Sequence, residues 1–209
     1  MSKGMTTFYI ARHGETLYNT QGIIQGHTDS PLTETGEAQA RMLGENLREV
    51  RFDAVFSSDL LRAQKTAEIA KLERELMITT SKLLRERSYG DFDGKDAALL
   101  LAHNQQVLEE LKHTTYAERK NVRFAPDMES DDDLVERLLL FLRESAVAYP
   151  DKTLLVVSHG GIMRVLLIHL GWATHEELPG GSVSNGGYIK LLSDGVDFSI
   201  EQVIGINRL

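Results

Sequence analysis

The chain has 209 residues, of which 42% are hydrophobic and 26% are charged, and its formal net charge at pH 7 is −8. This length predicts one domain over residues 1–209, with a core large enough to fold without a metal ion or a disulfide. An acidic surface repels nucleic acids and anionic membranes, so neither is an expected partner. Because cysteine is absent, disulfides and cysteine nucleophiles are excluded.

The N-terminal half alternates between strand and helix patterns. Short runs of β-branched and aromatic residues predict strands at residues 6–11 and 52–57, and a weaker strand at residues 76–80. Between these runs, Thr33 and Asp59 are N-cap residues of two predicted helices, whose apolar residues recur at intervals of three and four.

The C-terminal half continues the alternation. Residues 97–111 have a helical pattern, whereas the polar, proline-containing segment at residues 116–128 predicts a loop. Ser130 opens a capping-box pattern that predicts another helix. The almost wholly apolar run at residues 153–158 is typical of a strand covered on both faces, and an apolar helix is predicted at residues 162–170.

Two final runs, at residues 188–192 and 198–206, predict strands that pair as an antiparallel hairpin. Strands that alternate with helices favour a parallel sheet covered on both sides. The predicted fold is therefore α/β, a three-layer α/β/α sandwich with a mainly parallel central sheet. No apolar run approaches the roughly 20 residues of a membrane span, and the first five residues lack the apolar core of a signal peptide, so a cytoplasmic protein is predicted.

Cationic and imidazole side chains follow three of the predicted strands. Arg12 and His13 follow the first strand, His159 follows the apolar strand, and Arg62 lies one turn into the helix after the second strand. The carboxyl ends of parallel strands meet at one edge of a sheet, where ligands bind. These side chains therefore predict a local positive pocket in an acidic protein, and the planar fork of arginine suits phosphate oxygens.

Five motifs in chain order carry a family resemblance. They are RHGET at residues 12–16 with Asn19, QG..D.PLT..G at residues 25–36, SSDL.RA..TA at residues 57–67, Glu86 with Gly90 and Gly94, and SHGG at residues 158–161. Over about residues 6–206, the chain resembles the histidine phosphatase superfamily of phosphoglycerate-mutase-like proteins. The resemblance implies a phosphoglycerate-mutase-like fold and a single histidine phosphatase domain, with a substrate-capping insertion around residues 95–130.

The resemblance also implies a role for each site residue. His13 would be the nucleophile that becomes phosphorylated, and Glu86 would protonate the leaving alcohol and then activate water. The implied catalytic residues are His13, Glu86, His159, Arg12 and Arg62. The implied substrate-binding residues are Arg12, Asn19, Gln25, Gly26, Arg62, His159 and Gly160.

No metal site and no cofactor is expected. Residues 91–94 (DFDG) superficially resemble the nucleophile motif of metal-dependent phosphatases, but the stretch before them is polar where that motif needs an apolar strand. They also fail as a calcium loop, because Asp96 and Ala102 occupy the positions that need glycine and glutamate. The three acids at residues 131–133 are better explained by interaction with the dipole of the helix that they begin.

The resemblance leaves more than one activity open. The expected function is a metal-independent phosphomonoesterase that acts on a small phosphorylated metabolite through a phosphohistidine. The alternatives are a 2,3-bisphosphoglycerate-dependent phosphoglycerate mutase and a non-catalytic phosphate-binding scaffold on the same fold. Hydrolysis is favoured because the segment between Glu86 and His159 lacks the paired arginines expected of a mutase, its clearest basic cluster being at residues 119–123. Whether the chain forms a homodimer stays open.

Overall fold

The structure of the protein is a computed structural model that describes residues 4–209. Residues 1–3, part of the start for which no signal peptide is predicted, lie outside this range. The strands are β1 (Thr6–Arg12), β2 (Ala54–Ser58), β3 (Ile78–Ser81), β4 (Thr153–Ser158), β5 (Val183–Ser193) and β6 (Phe198–Ile206). In the described residues they form one sheet in the order β3-β2-β4-β1-β5-β6. The first four strands of that order are parallel, and β5 and β6 are antiparallel additions.

Helices cover both faces of this sheet. They are α1 (Leu17–Thr20), α2 (Glu34–Asn46), α3 (Leu61–Ala70), α4 (Ala97–His103), α5 (Gln105–Glu110), α6 (Tyr116–Arg119), α7 (Asp131–Ala148) and α8 (Gly160–His169). Two short 3₁₀ turns, Lys82–Leu84 and Gly90–Phe92, flank the segment that contains Glu86.

The central strand β4 explains the three layers. It lies between β1 and β2, is parallel to both, and is buried from Leu154 to its end. Because side chains alternate across a strand, Leu154 and Val156 join one core, which contains residues of α7 and α8. Leu155 and Val157 join the other, with residues of α2 and α3. The predicted α/β/α architecture with a mainly parallel sheet is confirmed.

The capping region differs from its prediction. The helical pattern at residues 97–111 is divided at Asn104 into α4 and α5. The segment at residues 116–128, predicted as a loop, contains the one-turn helix α6, because Thr115 and Glu118 form a reciprocal capping box.

The start of α3 also differs. Asp59 was the predicted N-cap, but Leu60 occupies that position and makes no side-chain cap hydrogen bond. The carboxylate of Asp29, from a loop far away in sequence, accepts a hydrogen bond from the main-chain nitrogen of Leu61 at 2.8 Å. Asp59 instead pairs with Arg85 at 2.7 Å. A remote side chain therefore caps this helix, which local sequence patterns cannot predict.

Strand β5 begins at Val183, before the predicted start at residue 188. Its pairing with β6 shifts register between Val183 and Tyr188, and Gly186 has a positive φ of 75° within that interval. Glycines at such a bulge interrupt the pattern of residues from which a strand is predicted, so the first part of β5 was not predicted. Among the helices of the described residues, none combines the length and apolar character that crossing a membrane requires.

Candidate active site

The pairing of β1 with β4 brings two histidines together. Arg12 is in register with Ser158, and the main-chain nitrogen of His13 donates to the carbonyl of Ser158 at 3.0 Å. The next residue along β4 is His159, whose ring centroid lies 5.1 Å from that of His13, at an interplanar angle of 63°. Two strand ends that are distant in sequence thus place two imidazoles in contact.

The environment of His13 fixes its protonation state. Its side chain is buried, and Nδ1 lies 2.7 Å from the carbonyl oxygen of Gly14. Because a carbonyl oxygen only accepts, Nδ1 carries the proton of this hydrogen bond. Burial first, and then the charges of Arg12 and Arg62, lower the pKa of His13 well below its ordinary value. The ring is therefore neutral at pH 7, and its Nε2 lone pair is free.

Two arginines flank these histidines, Arg62 buried and Arg12 half-buried. The Arg62 guanidinium donates to the carbonyls of Thr28 and Gly26 at 2.7 and 2.8 Å and to the carboxylate of Asp29 at 2.8 Å. Arg12 donates to the carbonyl of Val183. Burial lowers the pKa of both arginines. Because the ordinary pKa of arginine is very high, both side chains nevertheless remain charged at neutral pH. Main-chain and carboxylate oxygens thus hold the Arg62 guanidinium in a fixed orientation, and one main-chain carbonyl holds that of Arg12.

Several polar atoms of this cluster have no partner within the chain. Among the described residues, five buried side-chain nitrogen and oxygen atoms lack a hydrogen bond. Four of them are Nε of Arg12, Nε of Arg62 and both ring nitrogens of His159. Burial lowers the pKa of His159 well below its ordinary value, so this ring is neutral as well. Buried polar groups are nearly always satisfied, so this concentration is typical of a site that binds an external anion.

The carboxylate of Glu86 contacts the first turn of α8. Its Oε2 accepts from the main-chain nitrogen of Gly161 at 2.9 Å, and its Oε1 accepts from that of Arg87 at 2.8 Å. A Cβ atom at position 161 would lie 2.4 Å from Oε1. Glycine at this position therefore lets the carboxylate approach the helix terminus.

These residues surround one cavity of about 250 Å³. It is lined by eight of the nine residues that the sequence singled out: Arg12, His13, Asn19, Gln25, Gly26, Arg62, Glu86 and Gly160. The ninth, His159, is fully buried and contacts His13 from the protein interior. The structure therefore brings the whole predicted set together.

Asn19 and Gly26 show how the cavity wall is built. Oδ1 of Asn19 accepts from the main-chain nitrogen of Thr16 at 3.2 Å, so only its amide nitrogen remains as a donor for a ligand. Gly26 has a positive φ of 48°, and a Cβ there would lie 1.6 Å from Oδ1 of Asp93. Gly26 thus allows a tight turn that points its carbonyl at Arg62.

The comparison with known families decides the assignment. A model of the histidine phosphatase superfamily (branch 1) matches residues 8–204. This chain belongs to that superfamily.

Relatives of this histidine phosphatase family member include phosphatases and mutases. A protein of Bacillus subtilis (strain 168) named uncharacterized phosphatase PhoE is 37% identical over 172 residues, covering 82% of this chain and 81% of the relative. A broad-specificity phosphatase of Saccharomyces cerevisiae is 36% identical over 177 residues, covering 80% and 71%. The solved structure of a phosphoglycerate mutase from Bacillus anthracis str. Sterne is similar with a TM-score of 0.83 and 27% identity, covering 98% and 94%. These findings support a phosphatase or mutase-like function.

Sequence reasoning missed three polar residues that line the cavity of this family member, namely Arg87, Tyr89 and Arg164. Burial raises the pKa of Tyr89 to about 12, so its hydroxyl stays protonated. Burial lowers the pKa of Arg164 to about 10, and its guanidinium donates to the carbonyls of Leu178 and His175. Arg164 could have been found from its position one helical turn after Gly160, which places both on one face of α8.

The charge of Arg87 is neutralised inside the protein. Its guanidinium contacts Asp131, whose other carboxylate oxygen lies 2.7 Å from Nε2 of His175. Burial alone would raise the pKa of Asp131, but hydrogen bonds from His175 and Arg87 lower it to about 2. The sequence predicts no role for Arg87. In the structure it is buried and tied to α7.

Residues of the predicted capping segment line an adjoining cavity of about 220 Å³. Leu100, Leu101, Leu108 and Phe124 contribute apolar surface, and the two cavities share Arg87, Tyr89, Arg164 and Gly180. Of the basic cluster at residues 119–123, Lys120 and Arg123 pair with Asp132 and Asp133, whereas Arg119 lines this second cavity.

Proposed function

We propose that this histidine phosphatase superfamily member is a metal-independent phosphomonoesterase that hydrolyses a small phosphorylated metabolite through a phosphohistidine on His13. One observation carries the proposal. The neutral ring of His13 keeps a free Nε2 lone pair next to unpartnered donor atoms of Arg12, Arg62 and His159. An uncharged nucleophile beside donors that lack acceptors is complementary to a phosphoryl group.

The first step transfers the phosphoryl group to the enzyme. The Nε2 lone pair of His13 forms a bond to phosphorus while the bond between phosphorus and the alcohol oxygen breaks. Glu86 gives its proton to that oxygen, so the alcohol leaves as a neutral molecule. Arg12 and Arg62 donate to the phosphoryl oxygens, which carry the charge in the transition state.

The second step returns the enzyme to its starting state. A water molecule attacks phosphorus, the carboxylate of Glu86 takes its proton, and the bond between phosphorus and Nε2 of His13 breaks. Inorganic phosphate leaves, and Glu86 is protonated again. The main-chain nitrogens of Arg87 and Gly161 donate to this carboxylate and hold it in place.

The choice between hydrolysis and mutase chemistry rests on the charges around the cavity. A mutase must hold a second anionic group strongly while it excludes water. Arg87 is paired with Asp131, and Lys120 and Arg123 are paired with acids. Among the described cationic residues that line the two cavities, Arg119 and Arg164 lack an ion-pair partner, as does Arg12 of the proposed phosphate site. The two relatives named phosphatase, one of broad specificity, agree with hydrolysis.

The mutase remains the second candidate, because the similar structure from Bacillus anthracis is a phosphoglycerate mutase and Arg164 reaches the cavity. The two functions differ in their acceptor. A phosphatase releases phosphate without added bisphosphoglycerate, whereas a mutase needs it and isomerises phosphoglycerate faster than it hydrolyses it.

Purified protein should be assayed for phosphate release from a panel of phosphomonoesters, with and without EDTA and with and without 2,3-bisphosphoglycerate. We expect release that EDTA does not change and an acid-labile phosphoenzyme after quenching. The described residues hold no group of three or more His, Asp or Glu arranged to bind a metal. Loss of activity in EDTA with recovery in Mg²⁺ would overturn the metal-independent mechanism. Binding of phosphate without turnover of any substrate would favour the scaffold alternative.

A cytoplasmic location, a homodimer and a partner set limited to small phosphorylated metabolites stay predictions. Cell fractionation with an antibody against the chain tests the location. Light scattering of the purified protein tests the oligomeric state.

A further inference from the structure

Arg137 is the side chain that contacts the main chain around Glu86 most extensively. It lies on α7, and its side chain is mostly buried. One guanidinium nitrogen, NH1, donates to the carbonyls of Leu83 and Arg85 at 2.8 and 2.6 Å. The other, NH2, donates to the carbonyl of Glu86 at 2.9 Å. A single guanidinium therefore bridges three carbonyls within four consecutive residues.

Glu129 fixes the other side of the same guanidinium. Its Oε1 accepts from Nε of Arg137 at 2.9 Å, and its Oε2 accepts from NH2 at 3.0 Å. Oε2 also accepts from the main-chain nitrogen of Ser88 at 2.8 Å. Burial alone would raise the pKa of Glu129, but the hydrogen bond and charge of Arg137, together with the main-chain hydrogen bond from Ser88, lower that pKa. The ion pair of Arg137 and Glu129 thus holds the main chain on both sides of Glu86. Arg137 binds the carbonyls of Leu83 and Arg85, and Glu129 binds the nitrogen of Ser88.

The carbonyl of Glu86 has a second donor. Nε2 of His27 lies 2.9 Å from it and carries the proton, because a carbonyl only accepts. The main chain of Glu86 is therefore held from α7 and from the His27 loop at once. Its carboxylate is held by the main-chain nitrogens of Arg87 and Gly161. Each of these bonds restricts where the carboxyl group can lie relative to His13.

We propose that Arg137, locked by Glu129, is a positioning residue that sets the location of the Glu86 carboxyl for proton transfer to the leaving alcohol. This inference rests on the proposed function. A proton donor works only within hydrogen-bond reach of the oxygen that it protonates, and a displacement of 1 Å can cost about 10²-fold in rate. The rigid fork of arginine suits this task, because it presents several donors in one plane, whereas lysine presents a single flexible ammonium.

Arg137→Met tests the proposal, because it removes the donors and keeps an apolar stem. kcat/KM should be measured for an alkyl substrate, glycerol phosphate, and for an aryl substrate, p-nitrophenyl phosphate. We expect a loss of about 10²-fold on the alkyl substrate and a loss at least about tenfold smaller on the aryl substrate, whose phenolate leaves with little help from an acid. Arg143→Met, on the exposed face of the same helix, is the matched control and should change neither value appreciably.

Arg137→Lys distinguishes the effect of the donor geometry of arginine from the effect of its charge. It also tests the proposal if Arg137→Met does not fold. Lysine keeps the positive charge but cannot bridge three carbonyls, so the alkyl-selective loss should persist. A lysine variant with full activity on both substrates would overturn the proposal, since charge alone would then suffice. Equal losses on both substrates in either variant would also overturn it, because a merely structural residue has no preference for a leaving group.

Glu86→Gln distinguishes failure of this proposal from failure of the proposed function. If Glu86→Gln itself shows no alkyl-selective loss, the acid role of Glu86 is wrong. If it shows that loss and the Arg137 variants do not, only the positioning role is wrong. In the double variant of Glu86→Gln and Arg137→Met, the second substitution should add less than about threefold on the alkyl substrate, because both act through one carboxyl group. Additive losses would overturn the proposal.

Discussion

The strand-end residues around His13 and the predicted capping segment at residues 95–130 line adjoining cavities, and they are built differently. His13, Arg62 and His159 are almost completely buried and tied to main-chain elements of the sheet and its helices. By contrast, the helices α4, α5 and α6 contain no buried residue, and Leu99 and Leu101 are exposed. The residues of the candidate site are therefore fixed by the packed core, whereas the three helices of the predicted capping segment are held less tightly.

The largest expected effect is at the nucleophile. His13→Ala should abolish turnover and the acid-labile phosphoenzyme, because it removes the proposed nucleophile. Phosphoenzyme formation after rapid quenching of a ³²P-labelled substrate measures this. His113→Ala, an exposed histidine just before α6, is the matched control and should retain nearly full activity. Residual turnover in His13→Ala would mean that water attacks phosphorus directly.

The acid role of Glu86 predicts the next largest effect. Glu86→Gln should lower kcat/KM for alkyl phosphates by about 10²–10⁴-fold, the usual contribution of general acid catalysis. Aryl phosphates should lose much less, because their leaving group needs little protonation. To measure this, kcat/KM is determined for a series of phosphate esters whose leaving alcohols differ in pKa. We expect kcat/KM to fall more steeply with that pKa in the variant than in the wild type. An unchanged dependence would remove Glu86 from the acid role.

The buried neutral histidines, His13 and His159, predict that the free energy of unfolding of the protein depends on pH. Burial holds the pKa of His13 and of His159 below the value near 6.5 that each has in the unfolded chain. Below pH 6.5 the unfolded state binds more protons, so acidification lowers the free energy of unfolding by up to about 1.4 kcal/mol per pH unit for each histidine.

Urea unfolding at pH 7.0 and at pH 5.5 measures this loss. His159→Gln should reduce the difference between the two pH values, whereas His113→Ala in the exposed capping region should leave it unchanged. Identical pH dependence in His159→Gln and the wild type would show that the ring is not kept neutral by its surroundings.

The capping segment predicts the smallest effects, and they depend on the substrate. Phe124→Ala, in the wall of the second cavity, should raise KM for bulky aryl phosphates by less than about tenfold, since a partly exposed ring contributes less than the roughly 1.5–3 kcal/mol of full burial. Ethyl phosphate, which is too small to reach that wall, should be unaffected. An equal loss on both substrates would mean that the segment supports the phosphate site itself.

The same contrast separates what the sequence can predict from what it cannot. RHGET and SHGG follow apolar strands, so the meeting of His13 with His159 follows from the rule that parallel strand ends share an edge. Likewise, the almost wholly apolar composition of residues 153–158 predicts that β4 is buried on both faces. These features depend on the pattern of apolar residues along the sequence and on the residues that immediately follow each strand.

Features that depend on remote partners could not be predicted. The cap of α3 by Asp29, the pairing of Arg87 with Asp131 and the contact of Arg137 with the Glu86 segment all join residues that are far apart in sequence. An arginine next to a glutamate reads as an exposed pair unless its distant carboxylate is known. The one-turn helix α6 is different, because its capping box at Thr115 and Glu118 is local and was available in the sequence.

The pairing of β1 with β4 has a consequence for how the protein is made. Arg12 lies near the beginning of the described chain, yet its neighbour in the sheet, Ser158, is synthesised only after the whole sequence between them. At synthesis rates of about 5–20 residues per second, His159 is therefore made roughly 7 to 30 seconds after His13. Until then β1 lacks its partner β4, and the candidate site is incomplete. Val183, whose carbonyl accepts from Arg12, is made later still, so the proposed activity should appear only late in translation.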